Sequence, residues 1–137
     1  MKRPVPGDDV PVLAMRVTQR LIDDYAHASG DFNPIHVDPA YARDGPYGRT
    51  IAHGLMLLAL VARMLNQWSD GAFDDGGELD VAFVAPVFVG DTLELSGTVE
   101  EIVERDGAPC ARIRLVCTAS GRQVLAGTAT QPLDRSA

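Results

Sequence analysis

The apolar positions of the chain follow helical spacing in the first half and alternating spacing in much of the second half. A strand is predicted at 10–17, and a helix follows it with Thr18 as N-cap and Gly30 as its left-handed C-terminal residue. A longer helix is predicted at 51–68, about 27 Å long at 1.5 Å per residue. Apolar residues occupy nearly all of its faces, which predicts burial on every side.

The second half of the chain supplies a sheet to surround this helix. Four stretches rich in β-forming residues lie at 78–89, 91–104, 108–120 and 122–133. Turn signals separate them at Gly90-Asp91, Asp106-Gly107 and Ser120-Gly121. Because short turns join antiparallel neighbours, the pattern predicts an antiparallel meander. The fold class is therefore α+β, with one curved antiparallel sheet wrapped around one long central helix.

Length and composition favour one globular domain covering 1–137. Of the 137 residues, 46% are hydrophobic and 23% are charged, as in folded proteins. The 12 basic and 19 acidic residues give a net charge of −7 without a basic cluster, which argues against nucleic-acid binding. The longest apolar run, at 51–65, is shorter than the ~20 residues of a membrane span. The N-terminus shows no apolar secretory core, so we expect a cytoplasmic protein.

Two cysteines are separated by an odd number of positions on one predicted strand. Cys110 and Cys117 should therefore point to opposite faces of the sheet. A disulfide between them is not expected, and free buried thiols are the prediction.

The stretch GDFNPIHVDP, at 30–39, is dense in polar and turn-forming residues. Pro34 fixes its own φ and pushes Asn33 toward an extended conformation, which predicts a stiff, non-helical loop. We expect the amide of Asn33 to organise this loop through nearby backbone groups. Asp38 followed by proline is an N-cap signature and predicts a short helix at 38–43.

Asp31 and His36 stand at the two ends of the stiff part of this loop. A carboxylate and an imidazole that converge on one small molecule form a general acid/base pair, although ordinary loop hydrogen bonds also use these residue types. The sequence IAHGLM adds a helix start at His53-Gly54, where free N–H groups and the helix dipole favour a negative oxygen. For Gly54 the alternative is tight packing of the helix end, and for His53 it is a structural role.

These features together suit chemistry on acyl thioesters. Adding water across an α,β-unsaturated thioester requires a base for the water, an acid for the α-carbon and donors for the enolate oxygen. The acid/base pair, the helix start and the apolar helix meet these requirements.

The segments SGDFNPIHVDPAYA, IAHGLM and PVFVGDTL, in this order, resemble the signature of the MaoC-like (R)-specific enoyl-CoA hydratases. The resemblance implies a hotdog fold, a homodimer and reversible hydration of trans-2-enoyl-CoA to (R)-3-hydroxyacyl-CoA, without metal or redox cofactor. It implies that the catalytic groups are Asp31, His36 and the Gly54 N–H. The substrate-binding residues expected beside them are Asn33, which also organises the dyad, His53, Leu55 and Arg49, the last toward the phosphates of CoA.

One departure from the family pattern lies on the long helix. Its faces nearest the dyad offer Ala59 and Ala62, where some relatives carry a hydroxyl. This departure affects the support of Asp31 and the tuning of the site, and leaves the expected reaction class unchanged.

Other functions remain open at the level of sequence. A 3-hydroxyacyl dehydratase acting on carrier-protein-bound substrates would use the same motif, whereas a hotdog thioesterase would need no imidazole paired with Asp31. A non-catalytic acyl-thioester-binding protein would need neither member of the pair. A metal site could draw on His27, Asp31, His36 and His53, but no HxxxH or HxH spacing supports it. Ser29 lacks the G-x-S-x-G context of a nucleophilic serine.

Overall fold

The computed structural model describes residues 3–134, which form five strands, four α-helices and one 3₁₀ turn. The strands are β1 (Asp9–Arg16), β2 (Glu78–Phe83), β3 (Thr92–Arg105), β4 (Ala108–Ala119) and β5 (Arg122–Pro132). The helices are α1 (Gln19–Ser29), α2 (Pro34–Val37), α3 (Pro39–Arg43) and α4 (Gly54–Ser69), with the 3₁₀ turn at Ala72–Asp74.

The strands form one antiparallel sheet in the order β1-β3-β4-β5-β2. The predicted hairpins β3–β4 and β4–β5 are confirmed. Their two-residue turns, Asp106-Gly107 and Ser120-Gly121, have positive φ at both positions, the geometry that matches the twist of a hairpin.

The prediction that β2 and β3 are neighbours is wrong, because β2 pairs with β5 at the edge of the sheet and β1 takes the place beside β3. The predicted strand 78–89 ends at Phe83. Pro86, which lacks an N–H, lies in the segment 84–91 that crosses from the β2 edge to β3. This crossover makes the change of strand order possible.

Helix α4 packs against the face of the sheet on which buried residues alternate. Burial alternates along β3 and β4, as the sequence pattern predicts. The core joins the buried face of the helix to these strands, and its members include Met56, Leu57, Leu60, Val61, Met64 and Leu65 from α4 and Leu93, Leu95, Ile113, Leu115 and Cys117 from the sheet. The expectation of one helix held by one curved sheet is confirmed.

Helix α4 begins at Gly54, three residues later than predicted, because the preceding residues are extended. We call residues 50–53 the lead-in segment. The Ile51 N–H donates to the Ile35 carbonyl at 3.2 Å, and the Ala52 N–H donates to the Val87 carbonyl at 2.8 Å. These backbone N–H groups have hydrogen-bond partners in neighbouring segments. Residues 51–53 therefore stay extended, and the helix begins after them.

Burial of α4 on every side is not observed in the single chain. Leu55 is 62% exposed, and Ala59 one turn later is also exposed. The sheet covers the opposite face of the helix, and an apolar strip is left uncovered within residues 3–134.

The short helices at the N-terminal side are defined by their caps. The Thr18 hydroxyl accepts the Leu21 N–H, and Gly30 ends α1 with a φ of 79°, as predicted. Asp38 caps α3 by accepting the N–H groups of Ala40 and Tyr41, also as predicted.

The prediction of a non-helical loop from Asp31 to His36 is wrong for its second half. Pro34 takes the first position of α2, a single helical turn, where a missing N–H costs nothing. The Asn33 side chain caps this turn by accepting the Ile35 N–H at 3.2 Å, which confirms its organising role.

Both cysteines are free and buried, as expected. Burial raises the pKa of the Cys117 thiol to about 11. Within residues 3–134 no helix is long and apolar enough to cross a membrane.

The buried carboxylate of Asp91 joins the end of the crossover to the β4–β5 hairpin. It accepts the Phe88 N–H at 2.8 Å and the Arg122 guanidinium at 2.6 Å. Burial alone would raise the pKa of the Asp91 carboxyl, but hydrogen bonds from Phe88, Ser120 and Arg122 outweigh it and lower the pKa below 3.8. The charged form of Asp91 therefore stabilises the fold.

Replacing Asp91 by Asn is expected to lower the free energy of unfolding by about 1–3 kcal/mol at neutral pH, because the buried acceptor of the Phe88 and Arg122 hydrogen bonds loses its charge. The folded-state pKa is depressed, so the carboxylate contributes above the ordinary value of 3.8 and the contribution is lost as pH falls through the lower folded-state pKa. The difference in free energy of unfolding between the unmodified and the Asp91→Asn proteins should therefore become smaller below pH 3.8. Urea unfolding at a series of pH values measures this.

The matched control is Asp106→Asn, which neutralises an exposed carboxylate in the β3–β4 turn and should unfold like the unmodified protein. If the Asp91→Asn protein were as stable as the unmodified protein at neutral pH, the ion pair of Asp91 with Arg122 would contribute nothing to stability.

Candidate active site

Asp31 and His36 are brought together by the turn that leads into α2. The Asp31 Oδ2 atom lies 4.0 Å from the His36 Nε2 atom. The Asp31 side chain is 53% exposed and that of His36 is 12% exposed, so the carboxylate faces solvent while the imidazole is set into the protein. The two atoms are too far apart for a direct hydrogen bond, but one water that lies to the side of the pair can hydrogen-bond to both of them.

Local backbone groups hold the Asp31 carboxylate in place. Its Oδ1 atom accepts the Asn33 N–H at 3.1 Å, which leaves Oδ2 on the side of His36. The Asp31 N–H donates to the Ser29 hydroxyl oxygen at 3.2 Å. Ser29 therefore shapes the turn.

The orientation of the His36 ring is set by the lead-in segment. Its Nδ1 atom lies 2.8 Å from the Ile51 carbonyl oxygen. A carbonyl can only accept, so Nδ1 carries the proton and donates it, and Nε2 presents a lone pair toward Asp31. This arrangement gives a base at Nε2, 4.0 Å from a carboxylate oxygen.

Gln19 and Thr50 support the same histidine and were not identified from the sequence. The Gln19 amide donates to the His36 carbonyl at 2.8 Å, and the buried Thr50 hydroxyl donates to Gln19 Oε1 at 2.6 Å. Thr50 directly precedes IAHGLM, but no sequence rule connects it to a glutamine on α1. Only the packing of α1 against α2 reveals this link.

His53 contacts both members of the pair. Its Nε2 atom lies 2.9 Å from the Asp31 carbonyl oxygen, and its ring stacks on the His36 ring at 3.9 Å between centroids. Only 3% of His53 is exposed. The residue directly before α4 is therefore fixed against the segment that carries the acid/base pair.

Gly54 is the first residue of α4, so its N–H has no acceptor within the helix. Beside it lies a groove of about 350 Å³ lined almost entirely by apolar residues, including Leu57, Phe83 and Val87. A Cβ atom at Gly54 would stand 3.6 Å from the Phe83 ring, an ordinary contact. Tight packing within residues 3–134 therefore does not require glycine here.

The remaining residues expected at the site are not among those that line this groove. Leu55 and Ala59 are on the exposed strip of α4, and Ala62 is half-buried on the same helix. Arg49 lies with its guanidinium 4.1 Å from the centroid of the Phe88 ring. It lines a second groove of about 290 Å³, which shares Tyr47 with the groove at Gly54. Arg49 is thus near the approach to Gly54 and outside the acid/base cluster.

Asp31, His36 and His53 also have the residue types of a metal site, with one ligand atom from each within 4.8 Å of the others. His27 is outside this group, and its ring lies edge-on to Phe32. An ion bound through His53 Nε2 would displace the bond to the Asp31 carbonyl. The hydrogen bonds made by His36 Nδ1 and His53 Nε2 leave His36 Nε2 and Asp31 Oδ2 available for acid/base chemistry.

Relatives with similar sequences include a hydratase and a dehydratase of acyl-CoA substrates. The (R)-specific enoyl-CoA hydratase of Aeromonas caviae is 34% identical over 110 residues, covering 80% of this chain and 81% of the relative. The 3-hydroxybutyryl-CoA dehydratase of Methylorubrum extorquens is 31% identical over 109 residues, covering 80% of this chain and 67% of the relative.

Among solved structures, the A. caviae (R)-hydratase involved in PHA biosynthesis superimposes with a TM-score of 0.82 at 28% identity. That match covers 98% of this chain and all of the other. The hotdog fold expected from the resemblance is thereby confirmed. Residues 3–119 match the family model described as MaoC like domain. The chain belongs to the MaoC-like family.

Proposed function

We propose that the protein adds water reversibly to trans-2-enoyl-CoA and produces (R)-3-hydroxyacyl-CoA. The observation that carries this proposal is the 4.0 Å separation of Asp31 Oδ2 and His36 Nε2, which one water can bridge, in a segment that His53 ties to the start of α4. The names of the relatives support the same reaction class.

The acid/base pair supplies the proton transfers. A water that bridges the pair from the side donates one hydrogen bond to Asp31 and one to His36 Nε2. His36 takes a proton as the water oxygen bonds to the β-carbon, and the carboxylate orients the water and faces the imidazolium that forms. The same proton then passes from His36 Nε2 to the α-carbon, so that one water is added and both residues return to their starting states.

The start of α4 stabilises the charge that develops between these two transfers. As the water oxygen bonds to the β-carbon, the thioester oxygen becomes an enolate oxygen. The Gly54 N–H donates to it, and the dipole of the 16-residue helix adds to this stabilisation.

The surroundings of the site support an acyl-CoA substrate. The apolar groove beside Gly54 suits an acyl chain or the pantetheine arm, and exposed Arg49 suits a phosphate of CoA. The net charge of −7 disfavours docking of an acidic carrier protein, the alternative source of the thioester. We further propose that 1–137 act as one domain without metal or redox cofactor. A cytoplasmic location stays a prediction from the sequence.

A homodimer is part of this proposal. The outer side of β2 has no strand partner within residues 3–134, and such edges are usually covered. Exposed apolar residues surround this edge, namely Phe83 and Val84 on the sheet side and Leu55 on α4. Pairing of β2 with its copy about a two-fold axis would continue the sheet and cover this surface beside Gly54.

Sedimentation at micromolar concentration is expected to show a dimer. Val84→Asp should shift it to monomer and reduce hydratase activity, because a charge would be buried beside the paired edge. The control is Val12→Asp on β1, since Val12 is 60% exposed and Val84 55%. The control should remain dimeric, and a stable, fully active monomer of the unmodified protein would rule out the dimer.

Asp31→Asn and His36→Ala are each expected to reduce hydration of crotonyl-CoA by ~10²–10⁴-fold, the usual contribution of a positioned acid or base. The double variant should be little worse than either single one, because both groups act on one water. Loss of enoyl-thioester absorbance measures the rate, circular dichroism checks the fold, and chiral analysis identifies the product.

Asp38→Asn is the control for the dyad variants, because asparagine caps a helix about as well as aspartate and Asp38 caps α3. It should retain nearly all activity. A folded Asp31→Asn protein with near-native turnover would contradict the dyad, and an (S)-product would contradict the assigned stereochemistry.

Prolonged chelation is expected to leave crotonyl-CoA hydration unchanged, because Asp31 and His36 act directly on water in this mechanism. Activity is compared before and after treatment with a chelator and after addition of zinc. Loss on chelation with recovery on zinc would instead assign the histidines as ligands.

A further inference from the structure

The residue type at position 53 is unusual for its place in the fold. His53 is the N-cap of α4 and makes no side-chain capping bond. Serine, threonine, aspartate and asparagine are strongly preferred at this position because their oxygen atoms accept a first-turn N–H. A chain that breaks a local rule usually does so for a contact elsewhere. For His53 the contacts are with Asp31 and His36.

The surroundings of the two ring nitrogens determine which of them carries the proton in His53. Nε2 faces the Asp31 carbonyl at 2.9 Å, so Nε2 carries the proton and donates. Nδ1 is buried and has no hydrogen-bond partner within residues 3–134. A proton on Nδ1 in place of Nε2 would leave the Asp31 carbonyl without its donor and a buried N–H without an acceptor.

Two aromatic rings lie against the ring of His53. One face stacks on His36 with an interplanar angle of 26°, and Tyr25 lies 4.9 Å away at 59°. With 3% of the residue exposed, almost no surface is left for a substrate atom. This geometry argues against the substrate-binding role expected from the resemblance.

We propose that His53 is a positioning residue that holds Asp31 and His36 at their separation and keeps both beside the Gly54 N–H. The Nε2–H bond fixes the Asp31 main chain, and the stacked ring fixes the plane of His36. His53 exchanges no proton with the substrate. The effect on rate rests on the proposed hydratase function, whereas the tautomer and the contacts do not.

Two substitutions of His53 test the contribution of its N–H donor and that of its ring separately. His53→Phe keeps a flat ring against His36 and removes the N–H. His53→Gln removes the ring and keeps an N–H donor at a similar distance from the main chain. The control is His27→Gln, because His27 is exposed on α1 and contacts neither Asp31 nor His36 through its ring.

Kinetics with crotonyl-CoA test the role of the donor. His53→Phe should reduce kcat by about 10²-fold with little change in KM, the effect of a misplaced acid/base pair. His53→Gln should restore kcat to within about tenfold of the unmodified protein, with the limbs of its pH–rate profile unchanged. His27→Gln should behave as the unmodified protein does.

Three kinetic results would overturn the positioning role. These are near-native turnover of His53→Phe, a folded His53→Gln protein as impaired as His53→Phe, and loss of one limb of the pH–rate profile in His53→Gln. The last result would mean that His53 itself transfers a proton.

Nitrogen NMR of the unmodified protein tests the geometry without substrate and without a variant that must fold. The expected spectrum shows His53 protonated at Nε2 and His36 protonated at Nδ1. A His53 signal protonated at Nδ1 overturns the proposal even if the protein is active. Absence of hydration by the unmodified protein, with the expected spectrum, would reject the proposed function and leave the positioning contacts standing.

Discussion

The backbone of the lead-in segment 50–53 is hydrogen-bonded on two sides, and the geometry of the site depends on this constraint. Toward α2, Ile51 donates its N–H to the Ile35 carbonyl and accepts the His36 Nδ1–H. Toward the crossover, the Ala52 N–H donates to Val87, and the Val89 N–H donates to the Thr50 carbonyl. Buried backbone groups must find partners, so these bonds are conditions of folding as well as of geometry.

The segments around the two histidines exchange hydrogen bonds. His36 donates from its ring to the Ile51 carbonyl, and His53 donates from its ring to the Asp31 carbonyl. Each ring is thereby oriented by the main chain of the opposite segment, and the stacked faces close the contact between them. These main-chain hydrogen bonds leave His36 Nε2 as the nitrogen that faces Asp31. A second carboxylate is not needed to orient the ring.

Local rules explain which parts of the structure could be predicted. The caps at Thr18, Gly30 and Asp38 and the alternation in β3 and β4 depend on neighbouring residues, and the sequence pattern predicted them correctly. The pairing of β2 with β5 depends on contacts between distant segments. No periodicity within either strand encodes such a choice of neighbour.

For the start of α4 and for the site, too, local sequence determines some features and contacts between distant segments determine others. The apolar run from 51 satisfies helical spacing, but hydrogen bonds to Ile35 and Val87 keep its first residues extended. Asp31, His36 and Gly54 stand in short motifs and could be proposed from sequence. Gln19 is 17 positions from His36, and only the folded packing places its amide on the histidine carbonyl.

The burial of the cysteines has a consequence for the chemical durability of such a protein. An enoyl thioester is a soft electrophile, and a thiolate adds readily to its β-carbon. With a pKa of about 11, the Cys117 thiol is ionised to only about one part in 10⁴ at neutral pH, and it lies inside the core. Cys110 is buried as well. The chain thus carries two thiols of the kind that enoyl thioesters alkylate, and the fold buries both of them.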